Sequence, residues 1–130
     1  MGNSRENLLM VNNMKIIMVV DDNEDIGRII KRILDKEGYD TIIATNGDEC
    51  INKLKEIKPD LILLDIMMPG TPVSEITEQI KDIKIAFLSA VKISETDKAN
   101  MMQQNNIVDF IPKPFEREDL VNKIKNLVGE

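Results

Sequence analysis

Five short apolar runs alternate along the chain with amphipathic stretches of helical spacing, and this alternation most constrains the fold. Each run is only four or five residues long, which is the length of a buried strand. Strands that alternate with helices are typical of a parallel sheet with helices on both faces. The predicted strands are Ile16–Val20, Thr41–Thr45, Leu61–Leu64, Ile85–Ser89 and Val108–Ile111.

Helices are predicted between and after these runs. The first has isoleucines and a leucine along one face and Gly38 as its left-handed stop, and the fourth opens with Ser94 as a capping residue. The last carries acidic residues in its first turn, where the helix dipole favours them. We place the helices at about 23–37, about 50–57 before Pro59, around Ile76 and Ile80, at 94–102 and at about 116–128.

The composition of the strands also predicts their order. The first, third and fourth runs are the most apolar, whereas Thr41 and Thr45 flank the second run and Asp109 lies in the fifth. Strands covered on both faces are continuously apolar, so we place the second and fifth strands at the edges. The sequence therefore predicts an α/β flavodoxin-like (βα)5 three-layer sandwich, with a five-stranded parallel sheet in the order 2-1-3-4-5.

Charge and composition exclude several classes of function. The formal net charge of -6 disfavours direct binding of nucleic acid, and the apolar runs are too short to cross a membrane. One cysteine, Cys50, and no histidine exclude an intramolecular disulfide, a Cys/His zinc site and a Ser-His-Asp triad. The chemistry must therefore use carboxylates, amines and hydroxyls.

The beginning of the chain lacks the long apolar region of a secretory signal. We therefore expect a cytoplasmic protein. Residues 1–13 are polar and rich in Asn, and we expect them to form a disordered or flexible arm before a domain that covers residues 14–130.

Polar residues follow four of the predicted strands. Asp21 and Asp22 follow the first, Asp65 the third, Ser89 ends the fourth and Lys113 follows the fifth. In such sheets the functional crevice lies beyond the carboxyl ends of the strands, so these side chains should converge. Three clustered carboxylates repel each other unless a cation lies among them, and an oxygen-only set favours Mg²⁺. A carboxylate beside Mg²⁺ can attack a phosphoryl group, while an ammonium and a hydroxyl bind the phosphoryl oxygens.

Four motifs at these strand ends resemble those of the response-regulator receiver domain of two-component signalling, of which CheY is an example. The resemblance extends over residues 15 to about 128. The motifs are VVDD at 19–22, LLDIMMPG at 63–70, LSA at 88–90 and FIPKPF at 110–115.

The resemblance implies a role for each matched residue. Asp65 would accept a phosphoryl group from the phosphohistidine of a kinase, and Lys113 and a shifted Ser89 would contact that group. Phe110 would be the aromatic switch residue, whose ring turns inward as Ser89 moves. Mg²⁺ would be held by Asp21, Asp22, Asp65 and the backbone carbonyl of Met67.

The same resemblance implies partners rather than a catalytic activity on other molecules. A sensor histidine kinase or a phosphotransfer protein would donate the phosphoryl group. A downstream protein or an effector domain would bind the surface of the fourth helix, fifth strand and fifth helix. The domain would promote only its own phosphoryl transfer and dephosphorylation, and a phosphorylation-dependent homodimer remains open.

The chain departs from the usual receiver pattern at several positions. Thr71-Pro72-Val73 stiffens the loop before the third helix, and Asn106 stands where Gly is frequent, which we interpret as a left-handed position. The Lys113–Pro114 junction suggests a constrained, cis bond. Met67 and Val91 are apolar where the family often has polar residues that position the attacking water, which predicts slow autodephosphorylation.

Other interpretations remain open at this stage. Asp21 and Asp22 could simply cap the first helix, and Phe110 could be an ordinary core residue. A phosphohydrolase of the haloacid dehalogenase type also forms an aspartyl phosphate, but Asp65 lacks the second Asp of that signature. A pseudo-receiver that binds partners without phosphorylation would be expected to have a damaged site, and none of the matched positions is damaged.

Overall fold

Every predicted apolar run forms a strand in the computed structural model, which describes residues 14–129. The predicted arm at residues 1–13 lies outside the described residues. The observed strands begin or end one residue away from the predicted limit at most of their ends, and at the other ends they coincide with it. The strands are β1 Ile16–Val20, β2 Asp40–Ala44, β3 Leu61–Asp65, β4 Lys84–Ser89 and β5 Ile107–Pro112.

The strands form one parallel sheet in the order β2-β1-β3-β4-β5, which confirms the predicted topology. Val20 at the end of β1 lies opposite Ala44 of β2 and Leu64 of β3. Asp65 lies opposite Leu88 of β4. This register aligns the carboxyl ends of the three central strands, β1, β3 and β4, at the same end of the sheet.

The helices occupy the gaps between strands, as predicted, but three are shorter than expected. The third helix ends at Glu78, so the prediction that Ile80 belongs to it is wrong. The chain leaves the second helix at Lys53 and continues in hydrogen-bonded turns as far as Ile57. Met102 is the C-cap of the fourth helix, not part of it, and its side chain is exposed. Within residues 14–129, none of the helices has the length and apolar character needed to cross a membrane. The helices are α1 Glu24–Lys36, α2 Gly47–Lys53, α3 Val73–Glu78, α4 Glu95–Met101 and α5 Arg117–Val128.

Alternate residues of the central strands supply two cores, one on each face of the sheet. Ile17 and Val19 belong to the core under α1 and α5, whereas Met18 and Val20 belong to the core under α2 and α3. The period of two that separates them is the pleat of the strand. Cys50 lies in the second core, and burial raises the pKa of its thiol to about 11.

At both edge strands, β2 and β5, side chains form hydrogen bonds with backbone groups that face away from the sheet. In β2, the carbonyl of Ala44 accepts a bond from the Asp21 amide, so the backbone groups of Thr41 and Ile43 face away from β1. Their carbonyls accept bonds from the ammonium groups of Lys31 on α1 and Lys53 on α2.

On the opposite edge strand, β5, the amide of Lys113 donates to the carbonyl of Ser89 in β4. Backbone groups alternate in direction along a strand, so those of Phe110 and Pro112 face away from β4. The carboxylate of Asp109 accepts the Phe110 amide at 2.7 Å. Pro112 has no amide hydrogen to offer.

The interpretation of Asn106 as a left-handed position is wrong, because among the described residues only glycines have positive φ. Its side-chain amide instead donates to the carbonyls of Ile80 and Ile83, each at 2.6 Å. Gln104 adds bonds to the carbonyls of Thr77 and Ile80 and to Asn106 itself. Asn106 is thus a side-chain donor that ties the segment after α3 to the start of β5.

Replacing Asn106 with Ala should destabilise the protein by about 1–3 kcal/mol, because the Ile83 carbonyl loses the Asn106 donor and the Ile80 carbonyl keeps only the longer bond from Gln104. Urea unfolding monitored by circular dichroism measures the free energy. Asn105→Ala is the matched control, since Asn105 is exposed and should change the free energy of unfolding by less than about 0.5 kcal/mol. Equal effects of the two substitutions would contradict this role of Asn106.

Candidate functional site

The carboxyl ends of four strands bring the predicted polar residues to one crevice. Asp21 follows β1, Asp65 ends β3, Ser89 ends β4 and Lys113 follows β5. Backbone bonds fix these positions, since the Asp21 amide donates to Ala44 and the Lys113 amide donates to Ser89 at 2.8 Å. The convergence inferred from the sequence is therefore present in the structure.

Three carboxylates form the acidic part of this crevice. One oxygen each from Asp21, Asp22 and Asp65 lies within 4.8 Å of the others. Asp21 and Asp65 are only 1% and 3% exposed, whereas Asp22 is exposed at the rim. Backbone amides hold the two buried groups, because Asn23 donates to Asp21 at 2.9 Å and Met67 donates to Asp65 at 3.0 Å. The helix-cap alternative for the aspartates is wrong, since Asn23 is the N-cap of α1.

Lys113 is the cation of the site. Its Nζ lies 2.7 Å from Oδ2 of Asp21 and 3.4 Å from Oδ2 of Asp65. Burial by itself would lower the pKa of this lysine, but the hydrogen bond and charge of Asp21, with the charge of Asp65, outweigh that effect and raise it. The lysine is therefore charged and compensates part of the buried negative charge.

Asp65 is the carboxylate whose ionisation the fold opposes. Burial is the largest cause and raises its pKa, and the charge of Asp21 acts in the same direction. The Met67 amide and Lys113 lower the pKa but do not cancel the increase. A carboxylate placed at such a cost at a strand end is a candidate for function.

The donor set of the crevice suits a hard divalent cation. It consists of carboxylate oxygens only, and the exposed Asp22 leaves one side open to water. Mg²⁺ prefers this arrangement because it binds through few carboxylates and keeps several of its waters. The identity of the ion as Mg²⁺ and the role of the Met67 carbonyl as a metal ligand stay predictions.

Ser89 lies in the crevice but bonds to its own loop. Its hydroxyl donates to the carbonyl of Val91 at 2.6 Å, and the side chain is buried. Contact with a group on Asp65 therefore requires this bond to break.

Phe110 is half-buried on β5 and packs against Phe87, with ring centroids 5.4 Å apart and planes inclined at 48°. A pocket of about 320 Å³ lies beside the ring and reaches Ser89 and Lys113. Sequence reasoning missed one neighbour of this ring, Lys98 of α4, whose Nζ is 5.8 Å from the centroid. No spacing rule in the sequence signals a contact between α4 and β5, because it depends on how the two elements pack.

The loop between β3 and α3 accommodates the unusual Thr71-Pro72 sequence. Gly70 takes the left-handed conformation with φ of 97°, and Pro72 is the N-cap of α3. The Thr71 hydroxyl donates to Asp48 at 3.3 Å, which joins the loop to α2. The Lys113–Pro114 bond is cis, as predicted.

Comparison with known proteins assigns this arrangement to a family. The family model of the response regulator receiver domain matches residues 17–125. A hybrid signal transduction histidine kinase D of Dictyostelium discoideum is 37% identical over 96% of this chain, and the match is 8% of that protein. The transcriptional regulatory protein ResD of Bacillus subtilis is 40% identical over 86% of this chain and 47% of its own length. The chain thus spans less than half of these relatives.

Solved structures show the same fold. A CheY-like receiver domain protein from Methanospirillum hungatei is 31% identical, with a TM-score of 0.75 over 88% of this chain and 94% of its own. A response regulator from Thermotoga maritima is 28% identical, with a TM-score of 0.78 over 90% and 99%. The flavodoxin-like sandwich predicted from the sequence is confirmed.

Replacing Asp65 with Asn should stabilise the metal-free protein at neutral pH, because the fold opposes ionisation of this carboxylate. A pKa raised in the folded state means that wild type loses stability, relative to the variant, as pH rises through the unfolded value of 3.8 towards the folded value. The difference should be present at pH 7 and disappear near pH 3.

Urea unfolding in EDTA across this pH range measures the effect. Asp40→Asn, which alters an exposed carboxylate on β2, is the control and should show a smaller change at pH 7. A difference between wild type and the Asp65 variant that stays constant with pH would contradict the expected titration.

Proposed function

This chain belongs to the response-regulator receiver family of two-component signalling, and from that premise we propose that it is a phosphorylation switch with Asp65 as phosphoryl acceptor. The observation that carries the proposal is the position of Asp65. It is a buried carboxylate at the end of β3, 3.4 Å from the Lys113 ammonium and grouped with two further carboxylates. Burying such a group is costly, and phosphoryl transfer is a function that needs it.

The proposed step is a displacement at phosphorus. A carboxylate oxygen of Asp65 attacks the phosphoryl group of a phosphohistidine, and the P–N bond breaks as the P–O bond forms. The electron pair of the broken bond returns to the imidazole of the donor, which takes up a proton. Lys113, held by Asp21 at 2.7 Å, would balance the charge that Asp65 gains.

We assign Asp21, Asp22, Asp65 and the Met67 carbonyl as the Mg²⁺ ligands, and the ion would supply positive charge for the transferring group. The grouping of the three carboxylates supports this assignment. Removal of any one of them should weaken the binding of the ion.

Ser89 and Phe110 are proposed to convert phosphorylation into a change of surface. Ser89 would give up its bond to Val91 and donate to the new phosphoryl group, and the pocket beside Phe110 would receive the ring. The surface formed by α4, β5 and α5 then changes for a downstream protein or effector domain.

The partners of this switch follow from the family. A sensor histidine kinase or a phosphotransfer protein is the proposed donor, and the domain acts on itself rather than as an enzyme on other substrates. The cytoplasmic location, the lack of direct contact with nucleic acid and a phosphorylation-dependent homodimer stay predictions. So does the limit of the receiver domain at residues 14–130.

Incubation with acetyl phosphate and Mg²⁺ should add one phosphoryl group, about 80 Da, to wild type. Intact mass spectrometry measures the adduct. Asp65→Asn should gain no mass, whereas Asp40→Asn, which alters an exposed carboxylate on β2, should behave like wild type. EDTA should abolish the adduct.

Two results would contradict this function. A folded wild-type protein that gains no mass over hours and binds no Mg²⁺ would favour a pseudo-receiver. Continuous hydrolysis of a small phosphoester would favour a phosphohydrolase.

The phosphorylated protein should lose its phosphoryl group over hours rather than seconds. Met67 and Val91 are 60% and 48% exposed beside the site, and their side chains offer an attacking water nothing stronger than the weak sulfur acceptor of Met67. Met67→Asn supplies such a group and should shorten the half-life roughly tenfold. Met102→Asn, at an exposed methionine after α4, is the matched control and should leave the half-life unchanged. A wild-type half-life of a few seconds in Mg²⁺ buffer would refute the expectation.

A further inference from the structure

Lys98 of α4 has its ammonium over the aromatic ring of Phe110, the proposed switch residue. Its Nζ lies 5.8 Å from the centroid of Phe110, a distance at which the ring quadrupole attracts a cation. The carboxylate of Glu95 is also near the ammonium, but at 3.9 Å and 94% exposed it is a weak partner. The Phe110 ring is therefore a second partner of Lys98.

The pocket beside the ring gives Phe110 somewhere to go. Its volume is about 320 Å³, which exceeds that of a phenyl group, and Ser89, Val91 and Lys98 line it together with Phe110. A change of χ1 rotamer carries an aromatic ring by several ångströms. Such a change would move the ring away from the position in which it now contacts Lys98.

We propose that Lys98 is a positioning residue that holds the Phe110 ring in the orientation of the unphosphorylated protein and so sets the threshold of the switch. The inference rests on the proposed function, because it describes how that same site is regulated. It concerns a residue on α4, outside the phosphoryl-accepting crevice.

The chemistry of the ring explains why a cation is needed. Phenylalanine has no hydroxyl, so its side chain cannot be anchored by a conventional hydrogen bond. It is oriented instead by packing against the second core, where Phe87 is its aromatic neighbour, and by the ammonium of Lys98. A contact made in only one of two states shifts the balance between them by the full strength of that contact.

The test is the affinity for beryllofluoride, a mimic of the phosphoryl group, measured by calorimetry in the presence of Mg²⁺. Lys98→Gln should bind the mimic about two- to fivefold more tightly than wild type, because the state without the mimic loses its cation–π contact. Lys98→Arg retains a cation that stacks on rings and should bind like wild type.

The sign of the change separates the proposal from a simple charge effect. Removing a positive charge near an anionic ligand should weaken binding. Lys92→Gln is the control, because Lys92 lines the same pocket and is expected to show only this weakening. In a Phe110→Leu background, Lys98→Gln should no longer tighten binding, since the ring is gone.

A second readout follows the contact itself by NMR. The ε-methylene protons of Lys98 should be shifted upfield by the ring in wild type, and the shift should shrink when beryllofluoride is added. Phe110→Leu should abolish the shift in the free protein. A role of Lys98 in stability alone would leave no such ligand-dependent shift.

The results distinguish the inference from the function on which it rests. If wild type binds beryllofluoride but Lys98→Gln binds with equal or lower affinity, the inference is overturned and the switch remains. If folded wild type neither binds the mimic nor accepts a phosphoryl group, the proposed function fails and the inference fails with it.

Discussion

The contact of Lys113 with Asp21 and Asp65 is the interaction on which the arrangement of the site depends. Two buried carboxylates at the edge of a sheet repel each other, and the ammonium at 2.7 and 3.4 Å offsets part of that cost. Lys113 follows β5, which is separated from β3 by β4 and from β1 by β3 and β4. The long lysine side chain therefore joins distant strands, and the contact requires the whole sheet to be assembled in its order.

Much of this fold follows from simple patterns in the sequence. The continuously apolar runs around Val19, Leu63 and Phe87 mark the central strands, whereas Thr41 and Asp109 mark the edges. Because the carboxyl ends of parallel strands meet at one end of the sheet, the sequence alone is enough to group the polar residues that follow each run. Local rules predict less well where a helix ends, as at Lys53, since hydrogen-bonded turns there continue the helical spacing.

Contacts between distant elements could not be predicted from the sequence. The residue type of Asn106 suggested a left-handed backbone conformation, but its side-chain amide donates hydrogen bonds to carbonyls more than twenty residues away. The bond from Ser89 to Val91 and the position of Lys98 over Phe110 likewise depend on how loops and helices pack. In each case the residue type allowed several roles, and only tertiary structure selects one.

The side chains at the two edges of the sheet restrict how this protein can associate. An incoming strand at β2 would meet the carbonyls of Thr41 and Ile43 already bonded to Lys31 and Lys53. At β5 it would meet an amide bonded to Asp109 and a proline that cannot donate. Strand addition and fibril growth are thereby opposed at these positions. A receiver domain whose two sheet edges are occupied in this way is thus protected from edge-to-edge aggregation.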